Sequence, residues 1–466
     1  MAVTFCEMRN SKYFGWIASF LIALAMMSIF YDPTVPKANL YWFGTVMAVC
    51  MFAFDVLPTF ITAVLLLMFY IIMDIASPGM AFVGWTKPVP WLCMCGMMIG
   101  ALMDKSKISM RIALFTISRI GRTPVRLYAA FYIAGMALGA IIPDTLTVII
   151  IFMAIASSIC RSLELEPLSK PAGTIILGAF IGAQVACASY LPDNVGIVAL
   201  ETVKDIGVSY SWISYFMENA LFQLLHAIVA FTILHFFGSR ELAEHISRFR
   251  LCAEQDLKYL GPVSRTEYKT LALSVLALAA FMTESIHGIP GYYAFCTVVL
   301  LGFTPVFKLL DGDDLKRINF PILFFIAGCM AIGIVAVPLG IPDKVVAMLM
   351  PVLQTLDNNA VISMAAYWLG FFVNMLLTPV AAATSLSIPM AEIATNMGLS
   401  IKPVLYSFLY GLNQFVLPYE LGQALVMLAT GFVRIRHIII VMGLRVLLVT
   451  PLVGAMAAFI WPAMGI

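Results

Sequence analysis

Two acidic residues follow long apolar stretches of the sequence, and they are the first candidates for chemistry. Asp144 comes after the run 127–142, and Glu420 comes after the run 403–417. If these runs cross a membrane, a carboxylate at the bilayer centre costs about 2.5–3.5 kcal/mol and is usually functional. Its role would be to carry a proton, ligate a cation or pair with a cationic group. Alternatively, one or both acids lie near the interface and face water.

Neutral polar residues accompany these acids where proline interrupts the apolar runs. A helix is broken at membrane depth only where it is buried in protein or lines a watery cavity, so broken helices indicate a binding site. The candidate substrate ligands at the breaks are Thr145, Asn194, Thr378, Asn413 and Gln414. The candidates for ion or proton coupling are Asp144, Asp193 and Glu420.

The breaks are suited to charged solutes for a physical reason. A half-helix that begins inside the membrane presents free N–H groups and a partial positive charge, which suit a carboxylate. Unwound carbonyl groups and side-chain oxygens at the opposite ends suit a cation. The alternative is that proline only kinks a helix and that the polar groups bridge neighbouring helices.

The composition shows which elements must position these residues. The chain has 466 residues, of which 62% are hydrophobic and 11% charged, with a mean hydropathy of +0.99. A soluble domain has about 45–50% apolar and about 25% charged residues, so a water-soluble enzyme is excluded. At about 20 residues a span, the chain holds roughly 11–13 crossings or part-crossings. We expect the lipid bilayer to be its solvent.

Several other functions lack a signal. The formal net charge is +2, so no nucleic-acid partner is expected. The five histidines have no metal-ligand spacing and the nine cysteines form no Cys-x-x-Cys pair, so no metal site or disulfide is inferred. No nucleophile elbow or phosphate loop is present, and we expect no enzyme activity.

Charge and apolar runs define the organisation. We take the apolar runs, including 219–238 and 438–461, to be helices or half-helices without interior charge. A charged connector at 239–269 separates an N-terminal half, 1–238, from a C-terminal half, 270–466. Basic residues cluster at 105–126 and 308–317, which by the positive-inside rule places these loops, the connector and the N-terminus in the cytoplasm.

The two halves share features at a fixed offset. Ile99-Gly100 has a counterpart in Ile332-Gly333, and the pairs are 233 residues apart. The same offset places Thr145 on Thr378, each beside a proline that breaks an apolar run. Because many transporters are two related halves with the substrate site between them, this indicates an internal repeat. A chance match of small apolar motifs is the alternative.

The order of several short motifs resembles the divalent anion:sodium symporter family of the ion transporter superfamily. The motifs are Asp-Val-Leu-Pro at 55–58, Gly-Trp-Thr-Lys-Pro at 84–88, Gly-Ala-Phe-Ile-Gly-Ala at 178–183, Tyr-Leu-Pro-Asp-Asn at 190–194 and Phe-Val-Leu-Pro at 415–418.

This resemblance implies an all-α polytopic membrane protein with two inverted repeats, each with a re-entrant hairpin and a broken helix. The hairpins would lie at about 84–108 and 315–341, and the broken helices at about 127–160 and 361–396. The resemblance further implies an elevator-type homodimer that carries dicarboxylates, tricarboxylates or sulfate, usually with sodium. No cofactor is expected apart from such a sodium ion.

The sequence departs from the family pattern at its Ser-Asn-Thr motifs. Residues 143–145 read Pro-Asp-Thr, and the second motif is replaced within 376–381 in either of two registers. A second Thr-Pro-Pro-Asn motif has become Leu-Pro-Tyr-Glu at 417–420. Both asparagines of the Ser-Asn-Thr motifs are lost and acidic groups appear instead, which favours proton coupling or exchange over symport with two sodium ions.

We therefore expect a secondary active transporter of a small polar organic anion, most simply a di- or tricarboxylate. The first alternative is a cationic or zwitterionic substrate that pairs with Asp144 and Glu420. The second is a membrane sensor or scaffold that no longer transports. Short loops and a compact chain fit a bacterial inner membrane.

Overall fold

A computed structural model describes most of the chain, and every structural statement below concerns the residues it describes. They are residues 2–54, 56–142, 144–191, 194–283, 287–289, 291–318, 320–341, 344, 347, 358–375, 377–417 and 420–466. Among the predicted site residues, Asp193 lies outside this part of the chain, and so does the side chain of Asn194.

The described residues form helices and no strand, as the all-α prediction requires. In chain order the α-helices are α1 Ala2–Ile29, α2 Pro36–Ala53, α3 Thr59–Ile72, α4 Pro78–Ala81, α5 Pro88–Lys105, α6 Ile108–Ile120, α7 Pro124–Gly139, α8 Thr145–Ser162, α9 Lys170–Cys187, α10 Asn194–Val203, α11 Trp212–Ala243, α12 Ile246–Tyr259, α13 Arg265–Met282, α14 Gly291–Leu300, α15 Phe320–Ala336, α16 Asn359–Asn374, α17 Pro379–Asn396, α18 Ile401–Leu412, α19 Gly422–Ala429, α20 Ile435–Ala455 and α21 Trp461–Ala463. A π-helical segment, Met456–Ile460, joins the last two.

Within the described ranges, three helices are long and apolar enough to cross a membrane: Lys170–Cys187, Trp212–Ala243 and Ile435–Ala463. The first is almost wholly buried inside the protein, whereas the other two are more exposed. Phe236 on α11 is 84% exposed and Leu447 on α20 is 57% exposed. Large apolar side chains at such positions fit contact with lipid, so α9 is a central helix and α11 and α20 lie at the periphery.

The chain reverses direction between α7 and α8. Helix α7 ends at Gly139 and α8 begins at Thr145. The rings of Phe131 on α7 and Phe152 on α8 are 5.5 Å apart between centroids. Collinear helices would hold these residues roughly 30 Å apart at 1.5 Å per residue, so the two helices fold back on each other. Both pack against α9.

The hairpins predicted at 84–108 and 315–341 differ from the structure. Most of each segment is one uninterrupted helix, α5 or α15, preceded by a short 3₁₀ turn. The prolines of the first segment cluster at the start of α5, where proline is compatible with a helix. The reversal lies further along the chain, between α7 and α8. Prolines and glycines in these segments start and pack helices rather than turn the chain.

Matched glycines let the corresponding helices of the two halves approach closely. On α7, a Cβ at Gly135 would lie 2.8 Å from the carbonyl oxygen of Gly182 on α9. On α16, a Cβ at Gly370 would lie 2.2 Å from the carbonyl oxygen of Phe408 on α18. Backbones at this distance require small residues. The pair α7 and α9 therefore has a counterpart in α16 and α18.

The halves also interlock in a reciprocal way. Helix α10 of the first half packs on α17 of the second, and α19 of the second packs on α8 of the first. Gly100 on α5 faces Thr147 near the start of α8, and Gly333 on α15 faces Thr384 in the second turn of α17. The Ile-Gly pairs found in the sequence thus occupy equivalent places, which supports an internal repeat.

The connector is shorter than the predicted 239–269. Helix α11 extends to Ala243 and α13 starts at Arg265, and the intervening segment contains α12. It packs on α6, where Arg111 Nη1 donates to the Gly261 carbonyl at 2.9 Å and Arg111 Nε contacts Glu267 Oε1, at the start of α13, at 2.6 Å. The connector is therefore fixed to the N-terminal half.

Candidate functional site

The first break is capped by one of the predicted acids. Asp144 is the N-cap of α8, and its carboxylate accepts from the backbone N–H of Thr147 at 3.2 Å and from the Thr147 hydroxyl. Aspartate is favoured here because it satisfies a free N–H of the first turn. Thr145 is the first residue of α8 and is buried. Pro143 lies outside the described residues.

The equivalent break in the second half is capped by a threonine. Thr378 is the N-cap of α17, and its Oγ1 accepts from the N–H of Ala381 at 3.4 Å, with Pro379 at the first helical position. By helix position Thr378 therefore corresponds to Asp144. The sequence offset of 233 pairs it with Thr145 instead, one residue away. The two halves place a charged and a neutral cap at equivalent helix starts.

The break after α18 contains three more predicted site residues. Asn413 is the C-cap of α18, and Gln414 is only 1% exposed. The carboxylate of Glu420 accepts from the N–H groups of Leu417 at 2.9 Å and Val416 at 3.3 Å, so it closes its own loop. The loop leads into α19, which starts at Gly422.

The C-terminal ends of four helices meet in the protein interior. A Cβ at Gly139, the last residue of α7, would lie 2.9 Å from the sulfur of Cys187, the last residue of α9. Gln184 on α9 donates from Nε2 to the carbonyl of Asn413 at 3.2 Å. Asn374, the last residue of α16, donates from Nδ2 to the carbonyl of Gln414 at 2.8 Å.

Arg445 on α20 lies beside this meeting point, and the sequence interpretation missed it. Its side chain is fully buried, donates from Nη1 to Oε1 of Gln184 at 2.8 Å, and lies over the ring of Phe415 at 5.5 Å. The prediction that 438–461 has no interior charge was therefore wrong. The rule that singled out Asp144, a charge within an apolar run, applies equally to Arg445.

Two further polar residues of this cluster were missed. Gln184 and Asn374 lie in the last turns of α9 and α16, just before breaks in the chain. Each is a polar residue in an otherwise apolar stretch, which was the available signal. Both hold the backbone of the loop that follows α18.

A small cavity adjoins the cluster. Its volume is about 10 Å³, and its lining includes Gln184, Gln223, His226 and Gln414. Several buried polar atoms have no hydrogen-bond partner among the described residues, including both amide atoms of Gln414 and Nε and Nη2 of Arg445. The volume holds about one water molecule, which is too little for an organic acid.

A larger cavity of about 340 Å³ borders the break after α9. It is lined by Leu191, Glu201, Lys204 and Tyr210 among others. Lys204 lies 3.3 Å from the carboxylate of Glu201, which also accepts from the Tyr210 hydroxyl. Small-ligand sites typically measure about 300–1,000 Å³, so this cavity has room for a small organic acid.

Helix starts and helix ends have opposite electrostatics. Thr145 and Thr378 stand at N-terminal ends, which attract anions, whereas Arg445 stands near C-terminal ends, which attract cations. Asp144 bonds the first turn of its own helix, and Glu420 bonds its own loop. In the described part of the chain, no three His, Cys, Asp or Glu residues form a group that could hold a metal ion.

Two curated relatives are similar to this chain in sequence. Dicarboxylate transporter 2.2 of Arabidopsis thaliana, a chloroplast protein, is 20% identical over 407 residues, covering 83% of this chain and 72% of the relative. Dicarboxylate transporter 2.1 of the same plant is 24% identical over 255 residues, covering 52% of this chain and 44% of the relative.

A solved structure shows the same fold. The crystal structure of the YdaH transporter of Alcanivorax borkumensis matches with a TM-score of 0.51 and 14% identity, covering 82% of this chain and 87% of that chain.

The family model described as citrate transporter matches residues 49–411, well over half of the chain. The match confirms the family resemblance drawn from the short motifs, and it identifies a multi-pass membrane protein of a transporter family. The chain belongs to the citrate transporter family.

Proposed function

We propose that this protein is a secondary active transporter of a small organic anion of the di- or tricarboxylate type. The observation that carries the proposal is that helices of both halves break at equivalent positions and that their broken ends meet around buried polar side chains. Broken helices at the interface of two repeats are the usual construction of a transporter site. The family and the named activities of the chloroplast relatives support the substrate class.

The anion would bind at the N-terminal ends of α8 and α17. Thr145 begins α8 and Thr378 caps α17, so their hydroxyl groups stand at helix starts, where the helix dipole is positive. Such ends bind carboxylates without a side-chain charge. Asn194, Asn413 and Gln414 would supply amide groups from the two remaining breaks.

Coupling would depend on the acids at the breaks. Asp144 caps α8, and a change in its charge would alter the start of that helix. Together with Asp193 and Glu420, it would favour proton coupling or exchange over two-sodium symport. A coupling sodium ion is the alternative that the family resemblance suggests.

The architecture proposed for transport is an elevator. We further propose that the protein has inverted repeats and forms a homodimer. It would lie in a bacterial inner membrane with its N-terminus in the cytoplasm. The reciprocal packing of α10 on α17 and α19 on α8 supports a site shared by the two halves, and the basic loops support the orientation.

Uptake into proteoliposomes of the purified protein tests this proposal. We expect labelled succinate or citrate to accumulate relative to protein-free liposomes and to be displaced by unlabelled malate but not by organic amines. Displacement by amines alone would assign a cationic or zwitterionic substrate. Saturable binding of succinate without flux would indicate a sensor or scaffold.

A further inference from the structure

We propose that Arg445 is a built-in cation that takes the electrostatic place of a coupling sodium ion, so that anion transport proceeds without sodium. This inference rests on the proposed transport function and deepens it. It adds to the site a positive charge that the family resemblance does not predict.

Helix C-terminal ends meet beside Arg445. The C-terminal ends of α7 and α9 touch at Gly139 and Cys187. Gln184 joins the end of α9 to that of α18, and Asn374 joins the end of α16 to the same loop. Each helix C-terminus carries roughly half a negative charge. Helix ends joined in this way by buried side chains make a place where a cation is stabilised.

The guanidinium group of Arg445 is linked to one of these helix ends through Gln184. Arg445 Nη1 is 2.8 Å from Oε1 of Gln184, and Nε2 of the same glutamine is 3.2 Å from the carbonyl of Asn413, the C-cap of α18. One side chain therefore links the positive charge to a helix end. The ring of Phe415, in the loop after α18, lies 5.5 Å from the guanidinium carbon. Its negative π-face also favours a cation.

The surroundings of Arg445 limit both the partners for its charge and the space beside it. A buried guanidinium needs a compensating negative charge. The ion pairs found among the described residues include none to Arg445, so the helix ends are the compensation that the described structure supplies. The adjoining cavity of about 10 Å³ has no room for a substrate carboxylate. The guanidinium itself therefore occupies the cationic place, and a water molecule fits beside it.

The test measures exchange of labelled succinate in proteoliposomes, in sodium buffer and in choline buffer of equal ionic strength. We expect the wild-type rates in the two buffers to agree within about twofold. Arg445→Met should lose at least about tenfold in choline, and Arg445→Lys should keep part of the choline rate because it keeps the charge. Arg436→Met is the matched control, since Arg436 is exposed on the same helix, and we expect no change from it.

A thermal-shift measurement on the same proteins does not depend on transport. Arg445→Met lacks the guanidinium, so a sodium ion can bind in its place, and sodium should raise the unfolding midpoint of this variant relative to choline. The midpoint of wild type should be the same in sodium and in choline. The proposal is overturned if wild-type exchange requires sodium, or if Arg445→Met exchanges at the wild-type rate in choline. It is also overturned if sodium stabilises wild type as much as Arg445→Met. Absence of wild-type exchange in both buffers would contradict the proposed function instead, and the thermal shift would still decide on Arg445.

Discussion

Arg445 on α20 and Gln184 on α9 are hydrogen-bonded at 2.8 Å in the protein interior, and Gln184 in turn holds the carbonyl of Asn413 where α18 ends. Through Gln184, Arg445 therefore links α20, the last long helix, to the break that follows α18. A charge outside the predicted motifs is thus coupled to the loop that contains Asn413 and Gln414.

Gln184→Leu should destabilise the protein. The change leaves the Asn413 carbonyl and Arg445 Nη1 without their partner, and an unsatisfied buried polar group costs about 1–3 kcal/mol, more when it is charged. We expect a lower thermal unfolding midpoint in detergent. Gln255→Leu is the matched control, because Gln255 is exposed on α12 and should leave the midpoint nearly unchanged. Equal midpoints for the two variants would show that the network contributes nothing to stability.

Two substitutions of Asp144 separate its charge from its capping role. Asp144→Asn keeps a side-chain oxygen for the N–H of Thr147, whereas Asp144→Ala removes the cap and should cost about 0.5–2 kcal/mol. We expect Asp144→Asn to keep most of the thermal stability and to lose uptake driven by a proton gradient. If Asp144→Asn transports normally under a proton gradient, Asp144 is a structural cap only.

Three glycine-to-alanine changes test how tightly α5 and α15 pack on the broken helices. A Cβ at Gly333 would lie 2.3 Å from a backbone oxygen of Thr384, whereas one at Gly100 would lie 3.0 Å from the side chain of Thr147. Because a backbone cannot yield as a side chain can, Gly333→Ala should lower the unfolding midpoint more than Gly100→Ala. Gly443 on α20 has open space, so Gly443→Ala should be neutral or stabilising by up to about 1 kcal/mol. The reverse order of Gly333→Ala and Gly443→Ala would contradict the packing.

One ion pair outside the membrane spans should give a pH dependence. Asp32 lies in the loop between α1 and α2, and its carboxylate accepts from Lys344 at 2.6 Å. This bond, together with those from the hydroxyl and N–H of Thr34, lowers the pKa of Asp32 well below its ordinary value of 3.8. The stabilisation is fully present above the ordinary pKa and is lost as pH falls through the lower folded value. The unfolding midpoints of wild type and Asp32→Asn should therefore differ at pH 6, and the difference should begin to shrink only as the pH falls below about 4. A gap independent of pH would contradict the ion pair.

Breaks in the helices were predictable from local chemistry. A proline beside a polar residue in an apolar run marked the starts of α8 and α17, and the structure places Asp144 and Thr378 as caps there. The offset between Gly100 and Gly333 was also visible in the sequence, and in the structure each glycine packs against the broken helix of its own half.

The remaining features depend on tertiary packing. The hairpin expected at 84–108 was implied by the family resemblance, and sequence alone does not distinguish the first turn of α5, with its prolines, from a loop. That Gln184 meets Asn413 across 229 residues has no local signal. Arg445 was overlooked because one charge barely lowers the hydropathy of a long apolar run.

The measurement that tests the central claim most directly is succinate counterflow in proteoliposomes of Thr145→Val and Thr378→Val, which each remove one hydroxyl from one half. Thr232→Val is the control, because Thr232 is exposed on α11 and bonds only its own helix. If the anion contacts both helix starts, as proposed, both variants should raise the KM for succinate by about tenfold, or 1.4 kcal/mol, while Thr232→Val does not. Unchanged KM values in both variants, with wild-type flux, would place the substrate elsewhere and contradict the site.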